Sequence, residues 1–355
     1  MPAIKNKMTL KDVAELAGVS HTTVSLVVND VGGSRVSRDT RMRVLDAIKT
    51  LNYKPNLTAK RLASGKMHAI GLYIPFKIPI FRNFTFLEML TGIQDVLSPS
   101  GYDLVLFSGG RNLYRHRPIQ QIVMERTVDG LIVFNTRYTR QKDIKKEIDI
   151  LNELHFNFVV AHYYWGRSVV NYVGVDYKKA AVQGLTYLLS LGHRKIGILG
   201  GNYRAPISAI IVSALKKVLQ AYQIKYDEKI VAYADYEHDK AYEKTKEILK
   251  RRPQVTAFFV AGFEMAQPCL KAIREKGIRV PEEISVLCYV DDQIVPHLDP
   301  PLTAIKWPYY ELGKKAAELL LKENEKKQTE IFDAELIVRG STAGIGSKAA
   351  ATVNL

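Results

Sequence analysis

The chain has 355 residues, of which 47% are hydrophobic, and its formal net charge is +15. This is more apolar material than one small core needs, so we expect two or three packed units. No uncharged apolar run reaches the length of a transmembrane helix, and the first residues lack the apolar segment of a signal peptide. Cys269 and Cys288 lie in apolar stretches and are predicted to be buried, reduced thiols of a cytoplasmic protein rather than disulfide or metal ligands.

The positive charge is unevenly distributed. Residues 1–66 hold twelve Lys and Arg against five Asp and Glu, a net +7, whereas residues 67–355 hold thirty-nine against thirty-one, a net +8. A basic head on a nearly balanced body predicts that contacts with phosphate groups are localised to the head. Basic charge alone is weak support, because many proteins are simply basic.

The first predicted element is a short helix that ends in a turn. Apolar residues recur at helical spacing along one face, at Leu10, Val13, Leu16 and Ala17. Gly18 interrupts this pattern, as expected where the chain turns sharply. Ser20 stands where an N-cap residue would accept from the free amides of a second helix. We therefore predict two short helices around a tight turn.

The second helix presents two different faces. Its valines are predicted to face the interior: Val24, Val27 and Val28. The opposite stripe is mixed and mostly uncharged, with side chains that can touch base edges, namely Thr22, Ser25, Leu26 and Asn29, with His21 just ahead. The pair predicts a helix-turn-helix whose second helix enters the major groove of DNA, and the alternative is an ordinary helical hairpin.

A third helix and a short hinge segment follow. Ser37 is predicted to cap the third helix, whose buried stripe is Val44, Leu45, Ile48 and Leu51. Three helices in about fifty residues share a thin core, so the head should be marginally stable alone. Pro55 ends this helix, and Asn56 can cap another of about two turns before Gly65. Because so short a helix is unstable in isolation, we predict a linker that orders on binding DNA.

Beyond residue 67 the chain alternates between apolar strands and helices. Strands are predicted near 68–74, 102–107, 129–134, 157–161, 172–175, 195–199, 229–233, 255–260 and 284–290. Helical patterns fall near 86–97, 115–126, 141–154, 177–191, 207–222, 237–251 and 264–276. Such alternation predicts α/β architecture with doubly wound parallel sheets, and nine strands favour two lobes that divide near 163–170.

Motifs for catalysis are missing from the sequence. There is no Gly-x-Gly-x-x-Gly after a strand, no phosphate loop ending in Gly-Lys-Ser/Thr, no Gly-x-Ser-x-Gly and no His, Cys or carboxylate cluster with metal spacing. Asp291 and Asp292 could suggest acid–base chemistry, but a solvated pair at the end of a strand is the preferred interpretation. We expect no enzyme activity, cofactor or metal.

Several segments together form a family pattern. Within residues 9–75 they are Thr9-Leu-x-Asp-Val-Ala-x-x-Ala-Gly-Val-Ser20, Thr23-Val-Ser25, Asn29, Val36-Ser37, Leu51-Asn-Tyr-x-Pro-Asn56, Ala59, Leu62 and Ile70-Gly-Leu-x-Ile-Pro75. Further along the chain they are Gly101-Tyr-Asp-Leu, Val128-Asp-Gly-Leu-Ile, Val175-Asp176, Leu191-Gly-His-Arg-Lys-Ile-Gly197, Pro281-x-x-Ile-Ser-Val286 and Pro300-Pro-Leu-Thr303. The chain closely resembles the lactose-repressor (LacI/GalR) family of bacterial transcription regulators over nearly its whole length.

The resemblance implies a helix-turn-helix head, a hinge helix and a two-lobed body like a periplasmic binding protein. In that fold the chain crosses between the lobes three times. We expect the DNA-binding domain at 1–55, the hinge helix and linker at 56–67, and the body at 68–340. Its first lobe would comprise about 68–165 with 293–323, and its second about 166–292 with 324–340. Residues 341–355 are predicted to be a frayed tail.

The resemblance also assigns DNA contacts. Phosphate contact and orientation are assigned to Thr9, Leu10, Ser20 and Asn29, whereas His21, Thr22 and Leu26 would face bases. Leucine at 26 replaces the arginine common in the family and can pack on a thymine methyl, although packing inside the bundle is an alternative. Leu62 resembles the hinge leucine that wedges into the minor groove. The full predicted set adds Thr23, Ser25, Tyr53, Asn56, Ala59 and Lys60.

A ligand cleft between the lobes is implied as well, and there this chain departs from the family. Where many relatives carry an arginine, an Asn-Asp pair and an aspartate, alignment places Ile207, then Gly262 with Phe263, then Val290. Losing these polar groups predicts that a plain sugar would not bind tightly, and an alignment slip is the alternative explanation. The candidate cleft residues are Phe76, Phe84, His162, Arg204, Ile207, Phe263 and Val290.

These inferences predict a cytoplasmic, homodimeric, sequence-specific DNA-binding transcription regulator, expected to be a repressor. Its partners would be a palindromic DNA operator and a second copy of the chain, with no membrane; if the body senses a small molecule at all, that effector would not be a plain sugar. One alternative is an architectural DNA protein that ignores small molecules. Another is a solute-binding module, which the missing signal peptide and the basic head oppose.

Overall fold

The computed structural model describes residues 8–28, 36–54, 65–74, 84–108, 118–135, 141–162, 170–252, 254–322 and 326–346. The chain divides into two compact units, Met1–Met67 and His68–Leu355, which we call the head and the body. Their boundary falls where the linker is expected to end. Residues 56–64, which are most of the predicted hinge helix and linker, lie outside the described residues.

Three short helices form the described part of the head: α1 (Leu10–Ala17), α2 (His21–Val28) and α3 (Arg38–Thr50). Their buried apolar faces meet in one small core of Val13, Ala14, Ala17, Val24, Val27, Val44, Ala47 and Tyr53. Two predicted core positions differ, because Leu16 is 53% exposed and Leu45 is 45% exposed. Each leucine lies at the edge of the apolar face of its helix, and in so small a bundle only the middle of that face touches the other helices.

The body alternates strands and helices as predicted. In chain order its elements are β1 (Ala69–Ile74), α4 (Phe84–Leu97), β2 (Asp103–Ser108), α5 (Ile119–Met124), β3 (Gly130–Asn135), α6 (Gln141–Glu153), β4 (Phe158–His162), β5 (Asn171–Val175), α7 (Tyr177–Ser190), β6 (Ile196–Gly200), α8 (Pro206–Ala221), β7 (Val231–Tyr233), α9 (His238–Arg251), β8 (Ala257–Val260), α10 (Ala266–Arg274), β9 (Ser285–Cys288), β10 (Thr303–Lys306), α11 (Tyr309–Leu321), β11 (Thr329–Phe332) and β12 (Glu335–Ile337).

These strands form two six-stranded sheets, one in each lobe. The first sheet has the order β11-β5-β4-β3-β1-β2 and is parallel throughout. The second has the order β12-β10-β9-β8-β6-β7, and only β12 runs antiparallel to its neighbour. Strands such as β1, β3 and β4 are buried along their whole length, as expected when helices cover both faces. The α/β fold class is therefore confirmed.

The chain crosses between the two sheets three times. It leaves the first sheet after β5, returns with α11, which packs against α4 and β4, and leaves again between β11 and β12. The predicted lobe limits are therefore wrong in detail. Residues 171–175 and 329–332 belong to the first sheet, and residues 303–306 belong to the second. An apolar strand pattern is local, whereas sheet membership depends on distant partners.

The start of the predicted frayed tail is ordered. The Ser341 side chain is fully buried, and its Oγ donates to the Val286 carbonyl and accepts from the Thr303 amide. Ala343 and Ile345 continue the contact through hydrogen bonds to Ser285 and Leu191. Residues 341–346 are therefore part of the second lobe, and residues 347–355 lie outside the described residues.

Both cysteines are buried and unpaired, as predicted. Burial raises the pKa of each thiol to about 12, so neither is a reactive thiolate. Among the described residues, no helix is long and apolar enough to cross a membrane.

Candidate functional site

The N-terminus of α1 is held by a reciprocal capping box. The Thr9 hydroxyl accepts from the Asp12 amide, and the Asp12 carboxylate accepts from the Thr9 amide at 2.7 Å. These hydrogen bonds from Thr9 lower the pKa of Asp12. A helix of eight residues is too short to be stable by itself, so this cap helps to define where α1 begins.

The turn between α1 and α2 depends on backbone conformation. Gly18 ends α1 with a φ of 62°, in the left-handed region that disfavours a side chain. Ser20 then caps α2, since its Oγ accepts from the Thr23 amide at 3.1 Å. Two short helices are thus set at a defined turn, as in a helix-turn-helix.

The predicted recognition face lies on the outside of α2. His21 and Thr22 are exposed, and Thr23, Ser25 and Leu26 are half-buried, whereas Val24 and Val27 pack inward. The exposed Thr9 and Ser20 and the half-buried Leu10 flank this face in sequence. The structure therefore leaves the predicted base-reading side chains of α2 accessible to a ligand.

One predicted contact residue has a different place. Tyr53 is only 7% exposed and packs in the core of the head, with its amide bonded to the Ile48 carbonyl. It is therefore a core residue rather than an exposed contact. The remaining predicted DNA contacts, Asn29, Asn56, Ala59, Lys60 and Leu62, lie outside the described residues.

In the body, the predicted cleft residues lie near the carboxyl ends of parallel strands. His162 ends β4 in the first sheet, whereas Arg204, Phe263 and Val290 follow β6, β8 and β9 in the second. Ligands of open α/β sheets bind at this end of the strands. Phe76 lies outside the described residues, and Phe84 begins α4, where nothing is described for its side chain.

Most of these residues are not free to bind a polar ligand. Ile207 is 2% exposed and Val290 is 5% exposed, and both belong to the hydrophobic core. Phe263 is half-buried. Arg204 is exposed, and its guanidinium lies over the Tyr203 ring at 5.1 Å and donates to the Tyr203 hydroxyl. Of the described candidates, Arg204 alone offers an accessible charged group.

His162 belongs to an aromatic cluster that joins the lobes. Its ring lies 5.1 Å from that of Phe134 in the first lobe and 5.7 Å from that of Tyr177. The Tyr177 ring contacts Trp307, and the Trp307 Nε1 donates to the Tyr289 carbonyl in the second lobe at 2.7 Å. The cluster packs where the chain passes between the sheets, so His162 has a structural role at this junction.

Sequence reasoning missed Tyr236. Its buried ring lies against Gly201 and Gly262, and a Cβ added at Gly262 would lie 2.9 Å from the Tyr236 Cδ1. Tyr236 also has a φ of 60°, a strained conformation for a bulky residue. The glycine at 262 thus makes room for an aromatic ring of the chain itself. The Gly200–Gly201 pair was a signal, although its spacing indicates only a turn.

The two aspartates after β9 are not a solvated pair, so that prediction is wrong. The Asp291 carboxylate accepts two hydrogen bonds from the Arg339 guanidinium, at 3.0 and 2.7 Å, and both side chains are largely buried. Asp292 is 5% exposed. Only the folded chain brings Arg339 beside Asp291, 48 residues earlier. Within the described ranges no group of three His, Cys, Asp or Glu side chains could hold a metal ion.

Comparisons with known proteins agree with this architecture. The model of bacterial regulatory proteins of the lacI family matches residues 9–56, and that of a periplasmic binding protein-like domain matches residues 185–342. The HTH-type transcriptional repressor PurR of Vibrio atlanticus (strain LGP32) is 30% identical over 340 residues, covering 94% of this chain and 98% of PurR. The HTH-type transcriptional regulator CelR of Thermobifida fusca is 29% identical, covering 95% and 99%.

Solved structures show the same likeness. The Lac repressor dimer bound to operator and the anti-inducer ONPF has a TM-score of 0.81 at 26% identity, covering 95% of this chain and 100% of that one. The CelR–cellobiose complex has a TM-score of 0.69 at 29% identity, covering 94% and 99%. These relatives are transcription regulators rather than enzymes. The chain belongs to the LacI family of bacterial regulatory proteins and is a DNA-binding transcription regulator.

Proposed function

We propose that this protein is a cytoplasmic repressor that binds a palindromic operator as a homodimer. The observation that carries the proposal is the accessible outer face of α2, with His21 and Thr22 exposed beyond a capped turn. A short helix presented in this way fits the major groove, where side chains can contact base edges. PurR, at 30% identity, is a repressor, and the Lac repressor structure is a dimer on its operator.

The dimer follows from how a single helix-turn-helix reads DNA. One recognition helix contacts only a few base pairs, so specific binding needs two heads on two half-sites. A two-fold pair of bodies would place those heads on inverted half-sites, which makes the operator palindromic. A ligand that changes the relation of the two lobes would then change DNA affinity by shifting a conformational equilibrium.

The charge of the head supports DNA as the partner. Residues 1–66 carry a net charge of +7. The described basic side chains that are exposed there are Lys11, Arg38, Arg43, Lys49, Lys54 and Lys66. Contacts between such side chains and phosphates release counterions, so operator affinity should fall steeply as salt rises.

Selection of bound sequences from a random DNA pool tests this function with the full-length protein. One enriched palindrome supports the proposal. Binding without enrichment would point to an architectural protein, and no binding at all would leave the solute-binding alternative.

A substitution pair tests the assignment of α2. Thr22 and Thr50 are both exposed helical threonines, and only Thr22 lies on the predicted recognition face. Thr22→Ala should weaken binding to the selected site by about 1–3 kcal/mol, the scale of one good base contact. Thr50→Ala should leave it unchanged in a fluorescence-anisotropy titration. Equal losses for both variants would contradict the proposed recognition face.

We further propose that the effector sensed by the body is not a plain sugar. Sugars need fixed donors and acceptors, whereas Ile207 and Val290 are buried core residues and Gly262 accommodates the Tyr236 ring. Each ligand hydroxyl left without a partner costs about 1–3 kcal/mol, so two such losses would remove a micromolar site. The relative CelR is known in complex with cellobiose, so sugar binding by this chain can be compared directly with that of CelR.

Calorimetry of the full-length protein against glucose, ribose and cellobiose tests this proposal. We expect no heat signal that corresponds to micromolar binding of any of the three. A clear micromolar isotherm for one of these sugars would show that other side chains replace the lost polar groups, and the proposal would then be wrong.

A further inference from the structure

Three carboxylates lie near the junction of the lobes, within range of one another's charges, and we call them the junction carboxylates: Glu88, Glu264 and Asp292. Asp292 follows β9, and Glu264 lies in the 3₁₀ turn Phe263–Met265 after β8, the neighbouring strand. Glu88 comes from α4 in the first lobe and is close enough to affect the Asp292 charge. Asp292 and Glu264 thus lie just beyond the carboxyl ends of neighbouring strands, where ligands of this architecture bind, and the charge of Glu88 acts from the other lobe.

Asp292 has an unsatisfied oxygen in the interior. The residue is 5% exposed, and its Oδ2 is inaccessible to water and has no hydrogen-bond partner. The other oxygen accepts only a long bond of 3.4 Å from the Ile294 amide. A buried carboxylate oxygen without a donor is costly, so such a group indicates that a partner is missing.

The surroundings of Asp292 favour a positively charged partner. Burial raises the pKa of Asp292, and the charges of Glu264, Glu88 and Asp291 raise it further. The Arg339 guanidinium binds Asp291 rather than Asp292. Within the described part of the chain, Asp292 forms no ion pair. A cation placed here would relieve both the missing hydrogen bond and the repulsion between like charges.

We propose that the junction carboxylates bind the ammonium group of a cationic effector, with Asp292 Oδ2 as its principal acceptor. An organic ammonium suits the site better than a metal ion, because no three carboxylates of the described residues converge on one point. An ammonium donates up to three hydrogen bonds and can be shared between separated acceptors. The assignment rests on the proposed ligand-sensing role of the body and names the chemical class of its ligand.

Methylammonium is the simplest probe of this site. Thermal unfolding of the full-length protein is compared in about 100 mM methylammonium chloride and in sodium chloride of equal ionic strength. Binding to the folded state alone should raise the wild-type Tm by roughly 2 °C or more in methylammonium. Asp292→Asn should abolish that difference. It should also raise the Tm in sodium chloride, because it removes a buried, unpaired charge.

Asp299→Asn is the matched control, since the Asp299 side chain is 93% exposed. This variant should keep the wild-type response to methylammonium. An identical wild-type Tm in the two salts would overturn the proposal, and so would an unchanged response in Asp292→Asn. Operator binding, measured in parallel, distinguishes failure of the proposed ammonium site from failure of the proposed DNA-binding function. Intact site-specific binding without a methylammonium effect would overturn only the ammonium site, whereas loss of specific DNA binding in the wild type would overturn the proposed function.

Discussion

The head and the body are stabilised in different ways. The described head has a core of eight buried residues, and its helices are defined by neighbours in sequence, such as the Thr9–Asp12 capping box and the Gly18 turn. The body relies on partners far apart in sequence, such as Arg339 with Asp291 and Ser341 with Val286. A unit stabilised mainly by local contacts should have a small free energy of unfolding. A unit stabilised by contacts between distant residues should unfold as a whole.

The largest effect that should separate the two units comes from Arg339→Ala. This change leaves the buried Asp291 carboxylate without its bidentate partner and should destabilise the body by about 3–5 kcal/mol. Chemical denaturation followed by tryptophan fluorescence measures it, because Trp307 lies in the body. The control is Arg279→Ala, which breaks an exposed pair with Glu283 and should cost less than about 1 kcal/mol. Similar midpoints for the two variants would contradict a stabilising network of distant partners.

Replacing one glycine in each unit introduces the same kind of backbone strain into the head and into the body. Gly18 has a φ of 62° and Gly277 a φ of 72°, and neither has a neighbour close enough to block a methyl group. Alanine should therefore cost about 1–2 kcal/mol at either position through backbone strain alone. In the marginal head this should raise the open population roughly 5- to 30-fold. In the more stable body the same cost should not measurably raise the open population.

Limited proteolysis of the full-length chain distinguishes these outcomes. Gly18→Ala should accelerate cleavage within residues 8–54, and Gly277→Ala should leave cleavage of the body near the wild-type rate. If Gly277→Ala accelerates cleavage of the body as strongly, the two units do not differ in stability as we infer.

The smallest effect is the dependence of the body's stability on pH near neutrality. His193 is buried, with its Nδ1 bonded to Thr256 and its Nε2 to Ser285 and Ala343. Burial lowers the pKa of His193 below the ordinary value of 6.5. The unfolded chain therefore binds a proton that the folded chain excludes, so this contribution to stability is complete above pH 6.5 and is lost as pH falls below it.

Thermal melts between pH 5 and pH 8 measure this contribution. His193→Gln should flatten the decline of Tm at acid pH relative to wild type, and His238→Gln, at an exposed position, should not. An unchanged decline in His193→Gln would show that other groups control the acid sensitivity of the body.

The sequence alone determined most of the elements and the family. The nine predicted strands and the predicted helices were correct in type because their apolar periodicity is a local property, visible from Ala69–Ile74 in a strand to Pro206–Ala221 in a helix. The last four elements of the body were not predicted: β10, α11, β11 and β12. The Gly18 turn and the Ser20 cap were also readable, since each acts on residues within one turn. The segments of the family pattern then identified the LacI family before any contact was known.

The tertiary structure decided what depends on distant partners. Strand pairing decides to which sheet residues 171–175 and 329–332 belong. Hydrogen bonds from Ser341 to β9 and β10 decide that residues 341–346 are part of the folded second lobe. The same holds for Asp292, which the sequence places at a solvated strand end and which the fold buries with one carboxylate oxygen lacking a donor. Burial and pairing are properties of the assembled chain, because neither is encoded by the residues next to a position.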